Sequence, residues 1–142
     1  MSEQPQTLTA AQLTEQLRQA PFHEWLGIEV ISVQPQTLEL KATWRPEWAN
    51  STGVTHGGIL SSLLDLAADW TLVATQGAPA PTIDFTVHYM RPAGPGDLSV
   101  RSRFLRAGRS LTVAEAEVID SGGKTAAVGR GTYASFAISK KD

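Results

Sequence analysis

One long amphipathic segment, from about Gly57 to Gln76, constrains the fold more than any other part of the chain. At 100° per residue its apolar side chains form one broad arc: Ile59, Leu63, Ala67, Trp70 and Ala74. The leucines at positions 60, 64 and 66 lie at the margins of this arc. The opposite face is small and polar: Gly58, Ser61, Ser62, Asp65, Ala68 and Asp69. Because Asp65 and Asp69 interrupt the apolar stretch, the segment predicts a core helix and not a membrane span.

Strand patterns flank this helix on both sides. Before it, a short helix is predicted after Thr9, and two strand-like runs follow at Ile28–Val33 and Thr37–Trp44. After it, four strand patterns are joined by short turns: 83–89, Leu98–Arg106, Leu111–Asp120 and Thr125–Ile138. Short turns imply antiparallel pairing, so we expect an α+β fold with one antiparallel sheet wrapped round one helix. We expect a single domain over residues 1–142, with residues 1–20 as an extension that carries the short helix.

The composition removes several kinds of chemistry. The chain has 142 residues and no cysteine, which excludes disulfides, thiolate catalysis, iron–sulfur clusters and cysteine zinc sites. His23, His56 and His88 lie far apart and never at metal-binding spacing, and no nucleotide-binding glycine loop or G-x-S-x-G motif occurs. We therefore expect neither a metal nor a cofactor. The polar N-terminus lacks the features of a signal peptide, so a soluble cytoplasmic protein is expected.

The charge is unevenly distributed. The net charge is −2, which argues against a general nucleic-acid binder. Residues 1–84 hold 3 basic and 9 acidic residues, whereas residues 85–142 hold 9 basic and 5 acidic ones, with five arginines between Arg91 and Arg109. A local basic stripe on a mildly acidic protein favours a small phosphorylated ligand, and the alternative is surface charge on strands.

A polar and glycine-rich string at the start of the long helix is the best candidate for a site. It runs from Asn50 through His56-Gly57-Gly58, and Asp65 follows two helical turns later. Each glycine costs about 1 kcal/mol relative to alanine in a helix, so two together suggest a close approach to the backbone. The free N–H groups of a helix start suit the polarisation of a carbonyl. The alternative is a capped turn at His56 and the glycines, with Asp65 as an interface carboxylate or a buried, hydrogen-bonded one.

These residues resemble a known family. The pattern N-x5-HGG-x6-D and the segment Tyr89-Met90-Arg91-Pro92-Ala93 are similar to the hotdog-fold acyl-CoA thioesterases. The match is to the PaaI-like, phenylacetate-degradation-type group of the 4-hydroxybenzoyl-CoA thioesterase superfamily, and it covers about residues 22–136. The resemblance implies the hotdog arrangement, in which a curved antiparallel sheet wraps one long helix.

The resemblance also implies roles for individual residues. Asp65 corresponds to the nucleophile or general base, and Asn50 corresponds to the amide that positions the acyl group or the attacking water. Thr82 matches a hydroxyl residue that assists the water in some members. At the helix start, Gly57 and Gly58 match the backbone that polarises the thioester oxygen, and His56 matches the histidine that orders this turn.

Five residues are candidates for binding coenzyme A. Arg106 lies where family members often carry a basic contact, and Tyr89 lies in the matching segment before a proline. Arg91, Arg109 and Ser110 are added because they lie near turns. Arginine suits the phosphate oxygens of coenzyme A.

The predicted function is therefore hydrolysis of an acyl-CoA thioester to a carboxylic acid and free CoA, without metal or redox cofactor. The alternative is a non-catalytic hotdog protein that binds acyl-CoA or acyl-carrier thioesters. The H-x4-P-G pattern of hotdog dehydratases is absent. The resemblance implies a homodimer with its site at the subunit interface, and a dimer of dimers is the first expectation. The acyl group stays open, since four aromatic residues suit either a pocket or the core: Trp44, Trp48, Trp70 and Phe85.

Overall fold

The computed structural model describes residues 8–136. The helices within that range are α1 (Ala10–Leu17), α2 (Pro21–Trp25) and α3 (Gly57–Gln76), with a short 3-10 turn at Pro46–Trp48. The strands are β1 (Ile28–Gln34), β2 (Thr37–Ala42), β3 (Thr82–Tyr89), β4 (Leu98–Ala107), β5 (Thr112–Ile119) and β6 (Thr125–Tyr133). The last predicted strand is therefore shorter than expected, and its final residues at 137 and 138 lie outside the described range.

The six strands form one sheet in the order β1-β2-β4-β5-β6-β3, and every neighbouring pair is antiparallel. Helix α3 packs against the sheet and contacts five of its strands, β2 to β6. The predicted α+β architecture, one long helix held by a curved antiparallel sheet, is confirmed.

Local sequence signals explain the first elements. Thr9 caps α1, because its hydroxyl accepts the Gln12 N–H and the Gln12 side chain accepts the Thr9 N–H in return. Leu13 and Leu17, four residues apart, are both fully buried. Strand β2 alternates as predicted, with buried side chains at every second position: Leu38, Leu40 and Ala42.

The buried face of α3 is rotated from the predicted one. Ala68 and Leu72 are fully buried, whereas Trp70, near the predicted centre, is only half-buried. The placement of Ala68 on a polar face is therefore wrong. The sheet wraps more of the helix than the apolar arc alone indicates, and a second cluster covers this side: Ala68, Leu72, Ala80, Phe104, Ala114 and Tyr133.

Helix α3 is also long and apolar enough, by length and composition alone, to cross a membrane. The core helix of a soluble protein passes the same test, and half of its most apolar 18-residue window is buried inside the structure. Its packing against the sheet accounts for its apolar residues without a membrane.

Strand β3 is an edge strand. It pairs with β6 on one side and with no other described strand on the other. Ile83 and Tyr89 on this strand are more than half exposed, as is Met90 just after it. An edge with unpaired backbone groups and exposed apolar side chains is suited to pairing with another chain.

Strand pairing defines two ends of the sheet. Four residues lie side by side across β3, β6, β5 and β4 at what we call the Thr82 end: Thr82, Tyr133, Thr112 and Ala107. Four others mark what we call the Tyr89 end: Tyr89, Ala127, Val118 and Val100. Thr82 and Tyr89 are seven residue steps apart on β3, which is roughly 23 Å at 3.3 Å per residue.

Candidate active site

The start of α3 lies at the Tyr89 end and is capped by a histidine. His56 is the N-cap residue, and its Nδ1 accepts the Gly58 N–H at 2.8 Å. The main-chain N–H of His56 donates to the Trp48 carbonyl at 2.7 Å, which ties the cap to the preceding turn. Within residues 8–136 the Gly57 N–H has no hydrogen-bond partner. The helix start thus keeps one free donor in its first two residues, at Gly57.

Tyr89 packs on this helix start. A Cβ atom added to Gly57 would lie 3.2 Å from the Tyr89 ring, and one added to Gly58 would lie 3.1 Å from His56 Nδ1. Both distances are tighter than ordinary contacts, so the two glycines let the ring and the imidazole approach the backbone. The close approach that the glycines predict is therefore present within a single chain.

Asn50 closes the loop before the helix. Its Oδ1 accepts the Thr52 N–H at 2.9 Å, the Thr52 hydroxyl at 2.8 Å and the Val54 N–H at 3.3 Å. The oxygen of the side chain is therefore fully used by the loop. In the described part of the chain the Asn50 NH₂ group has no partner, so it stays available as a donor.

Asp65 lies at the Thr82 end, in a small hydrogen-bonded cluster. The Thr82 hydroxyl donates to Asp65 Oδ1 at 2.9 Å, and the Tyr133 hydroxyl donates to the same oxygen at 2.8 Å. The family resemblance alone predicted Thr82 as a site residue, and no feature of the sequence predicted Tyr133. The signal is the strand register, since Tyr133 is the Cα partner of Thr82, and this register appears only once the strand order is known.

Burial shifts the pKa of two groups beside Asp65. Burial raises the pKa of Asp69 from 3.8 to about 6; the Asp65 charge adds to the shift, and an N–H donated by Ala80 at 2.9 Å opposes it. Burial, reinforced by the Asp65 carboxylate, also raises the pKa of Tyr133 well above its ordinary value. The raised pKa keeps the Tyr133 hydroxyl protonated at neutral pH, so that it can donate to Asp65.

A cleft of about 230 Å³ opens beside Asp65, between α2 and α3. It is lined by Phe22, His23, Ser62, Asp65, Leu66, Asp69 and Trp70. Asp69 thus faces the same cleft as Asp65. Of the four aromatic candidates for an acyl pocket, Trp70 lines this cleft, whereas Trp48 is fully buried in the core.

The coenzyme A candidates fall into two groups. Arg106, Arg109 and Ser110 lie on exposed positions of the β4–β5 hairpin at the Thr82 end. Tyr89 and Arg91 lie at the opposite end of the sheet. Roughly 23 Å separate the two ends, so one chain alone does not bring both groups to the adenosine diphosphate portion of a single ligand.

The other arginines of the basic stripe have ion-pair partners. Arg101 lies 3.9 Å from Glu39, and Arg103 pairs with Glu115, which also lies 3.6 Å from Arg130. These side chains line a groove of about 980 Å³ on the face of the sheet opposite α3. The groove is larger than the cleft beside Asp65, but four carboxylate side chains line it with the three arginines, and it contains none of the catalytic candidates. Among the described residues no group of three or more His, Asp or Glu side chains is arranged to hold a metal ion.

Asp65 and the free donor of the helix start are too far apart to act together within one chain. Asp65 lies eight residue steps after Gly57, which corresponds to about 12 Å along the helix axis. A carboxylate that attacks a carbonyl and an N–H that polarises its oxygen must both lie about 3 Å from the same group. Within one chain these two groups therefore cannot act on the same carbonyl.

Comparison with known proteins identifies the relatives of this chain. The family model described as "Acyl-CoA thioesterase N-terminal domain" matches residues 45–134. Human acyl-coenzyme A thioesterase 13 is 30% identical over 115 residues, which cover 78% of this chain and 82% of that protein.

Solved structures agree with this assignment. An X-ray structure of a protein from the thioesterase superfamily superposes with a TM-score of 0.84 at 35% identity, and covers 88% of this chain and 96% of that one. The PaaI protein of the phenylacetic acid degradation operon of E. coli gives a TM-score of 0.73 at 25% identity, with 87% and 98% covered. The predicted PaaI-like resemblance is confirmed.

Proposed function

The chain belongs to the acyl-CoA thioesterase family, as a PaaI-like hotdog thioester hydrolase, and on that premise we propose how it hydrolyses an acyl-CoA to a carboxylic acid and free CoA. Asp65 attacks the thioester carbonyl or activates the water that does so, and the Gly57 N–H polarises the carbonyl oxygen. The observation that carries the proposal is the orientation of Asp65, whose Oδ1 is held by two hydroxyl donors while no described residue donates to Oδ2.

Both roles of Asp65 are chemically complete. As a nucleophile, Oδ2 forms a bond to the acyl carbon, the carbon–sulfur bond breaks, and water then hydrolyses the resulting anhydride. As a general base, Oδ2 takes a proton from water while the water oxygen bonds to the acyl carbon and the CoA thiolate leaves. In either route one carboxylate oxygen reacts, and the thiolate takes up a proton after it leaves.

The start of α3 stabilises the negative charge that develops during the reaction. Negative charge develops on the carbonyl oxygen as the acyl carbon becomes tetrahedral, and the positive end of the α3 dipole favours that charge. Gly57 is the donor because its N–H is unpaired in the described chain, whereas the Gly58 N–H is taken by His56. His56 acts in this scheme by ordering the turn.

A homodimer completes the site. The free edge of β3 favours antiparallel pairing with β3 of a second copy, and a two-fold axis then brings the Thr82 end of one chain to the Tyr89 end of the other. Asp65 of one chain would meet Gly57 and the free amide of Asn50 of its partner. The 12 Å gap within one chain supports this arrangement, and a dimer of dimers stays a prediction.

The same pairing unites the two groups of coenzyme A candidates. Arg106 and Arg109 at the Thr82 end would face Tyr89 and Arg91 of the second chain across the interface. Within the described residues none of these three arginines has an ion-pair partner, in contrast to Arg101, Arg103 and Arg130. Unpaired guanidinium groups are suited to the diphosphate and 3′-phosphate of coenzyme A, and Ser110 adds a hydroxyl near Arg109.

Substitution of Asp65 tests the proposal. Asp65→Asn removes the reacting oxygen and keeps the size of the side chain, so kcat should fall by about 10³-fold or more. Free thiol release is measured with a chromogenic reagent on a panel of acyl-CoAs that carry short, long, branched and aromatic acyl groups. Glu29→Gln is the control, because it removes an exposed carboxylate on β1, the strand farthest from β3 in the sheet.

The panel also separates the alternatives. Unchanged turnover in Asp65→Asn contradicts the assigned role. Binding of CoA thioesters by the wild type without any thiol release supports the non-catalytic alternative instead. The acyl group hydrolysed fastest identifies the substrate class, which stays open among aryl, medium-chain and branched groups.

A further inference from the structure

We propose that Tyr133 is a positioning residue for the reaction, and that its buried hydroxyl, together with that of Thr82, holds Asp65 so that Oδ2 alone reacts. The inference rests on the proposed function and deepens it. It assigns a purpose to a tyrosine that lies 68 positions along the chain from Asp65.

The geometry restrains the carboxylate from one side only. Tyr133 donates to Asp65 Oδ1 at 2.8 Å and lies 3.3 Å from the Asp65 main-chain carbonyl oxygen, so the phenol contacts both ends of the residue. Thr82 donates to the same Oδ1 at 2.9 Å. The terminal torsion of an aspartate is broad and nearly two-fold, so a carboxylate without such donors exchanges its two oxygens easily.

Packing fixes the tyrosine itself. Tyr133 is fully buried, in the cluster that also contains Ala68, Leu72 and Phe104. A Cβ atom added to Gly131 would lie 2.9 Å from the Tyr133 ring, so this glycine leaves room for the ring two residues along β6. A donor locked by close packing positions its acceptor more accurately than an exposed side chain does.

Two hydroxyl donors and two titratable side chains lie around Asp65. It is faced by Tyr133 from β6 and Thr82 from β3, and its cleft also contains Asp69 of α3 and His23 of α2. Among the described residues only the two hydroxyl groups donate to its carboxylate, and both donate to Oδ1. Oδ2 is therefore the oxygen that is left to react.

Tyr133→Phe tests the inference, because it removes one oxygen atom and keeps the ring. Tyr133 is fully buried and its hydroxyl donates to Asp65, so KM should stay within about twofold while kcat falls roughly 10- to 100-fold, as expected for a lost hydrogen bond to a charged group. Thr82→Val removes the other donor to Oδ1 and should lower kcat in the same way, again with little change in KM.

Ser135→Ala is the matched control. Ser135 also carries a buried hydroxyl close to the end of β6, but it donates to the Gly108 carbonyl at 2.7 Å and not to Asp65. Its loss should lower stability and leave kcat unchanged. An equal fall in kcat in Ser135→Ala and Tyr133→Phe, or no fall in kcat in Tyr133→Phe and Thr82→Val, overturns the inference.

Fluorine NMR provides a second readout that needs no turnover. The chain has two tyrosines, so 3-fluorotyrosine gives two signals, and Tyr89→Phe identifies the one from Tyr133. That signal should change its chemical shift between the otherwise wild-type chain and Asp65→Asn, because the substitution alters the acceptor of the Tyr133 hydroxyl. A signal that is identical in both overturns the inference even if Tyr133→Phe does not fold. Failure of the proposed function is distinct, because the wild type would then release no thiol at all.

Discussion

The two ends of the sheet differ in the charge they present and in whether their polar groups are paired within the chain. At the Thr82 end a negative charge is held by donors of its own chain, with Asp65 bound by Thr82 and Tyr133. At the Tyr89 end the donors are left open, with the Gly57 N–H and the Asn50 amide unpaired in the described chain. One end offers a fixed carboxylate and the other offers a positive helix terminus. Each end lacks what the other supplies, which is the physical reason to expect that two chains share each site.

Among the changes that test this comparison of the two ends, blocking the β3 edge has the largest expected effect. Ile83 is 54% exposed on β3, and Ile83→Lys places a charge where a second β3 would pair, as natural edge strands do to prevent association. We expect a folded monomer by analytical ultracentrifugation with kcat lowered at least about 100-fold, since a monomer holds two separate half-sites. Ile31→Lys is the control, because Ile31 is 47% exposed at an irregularity of the opposite edge strand, β1. A fully active monomer would contradict the shared site.

Mixing two inactive variants sharpens the same comparison. In a heterodimer of Asp65→Asn and Asn50→Ala chains, one site carries both defects and the other carries neither. Random pairing should therefore restore about a quarter of the wild-type activity. If each site lies within one chain, the mixture stays inactive.

A smaller effect is expected on stability, at Asp69. The pKa of Asp69 in the folded protein, about 6, lies above the ordinary value of 3.8. Its favourable contribution to the free energy of unfolding is therefore complete below pH 4 and is lost as the pH rises through 6. The shift corresponds to at most about 3 kcal/mol in the free energy of unfolding. Asp69→Asn should remove that part of the pH dependence in urea unfolding between pH 4 and 7. Glu29→Gln should keep the wild-type slope; if Asp69→Asn also keeps it, Asp69 is not desolvated in the folded protein.

The smallest effect tests whether His56 acts only as a cap. Asparagine is a good N-cap, so His56→Asn should keep the free energy of unfolding and leave kcat within about threefold, whereas His56→Ala should cost about 1 kcal/mol. Chemical denaturation and thiol release measure the two quantities on the same samples. A stable His56→Asn chain with kcat lowered 100-fold would show that the imidazole takes part in the reaction.

Local sequence patterns predict much of the fold. The alternation of Leu38, Leu40 and Ala42 predicted β2, and the glycines after His56 marked the start of α3. Such features depend on backbone propensity and on neighbours within a few residues. The rotation of the α3 face did not follow from the helix alone, because the extent to which the sheet wraps Ala68 depends on strands that come later in the chain.

The sequence by itself determined the elements, the family and the candidate catalytic residues Asn50, His56 and Asp65. Only the tertiary structure joined Tyr133 to Asp65, assigned the Gly58 N–H to the His56 cap, and divided the coenzyme A candidates between two ends of the sheet. The physical reason is the distance along the chain between the residues that contact each other. Caps and periodicity arise from contacts within one or two turns, whereas the partner of a carboxylate is set by strand order and register, which bring residues 68 positions apart to 2.8 Å.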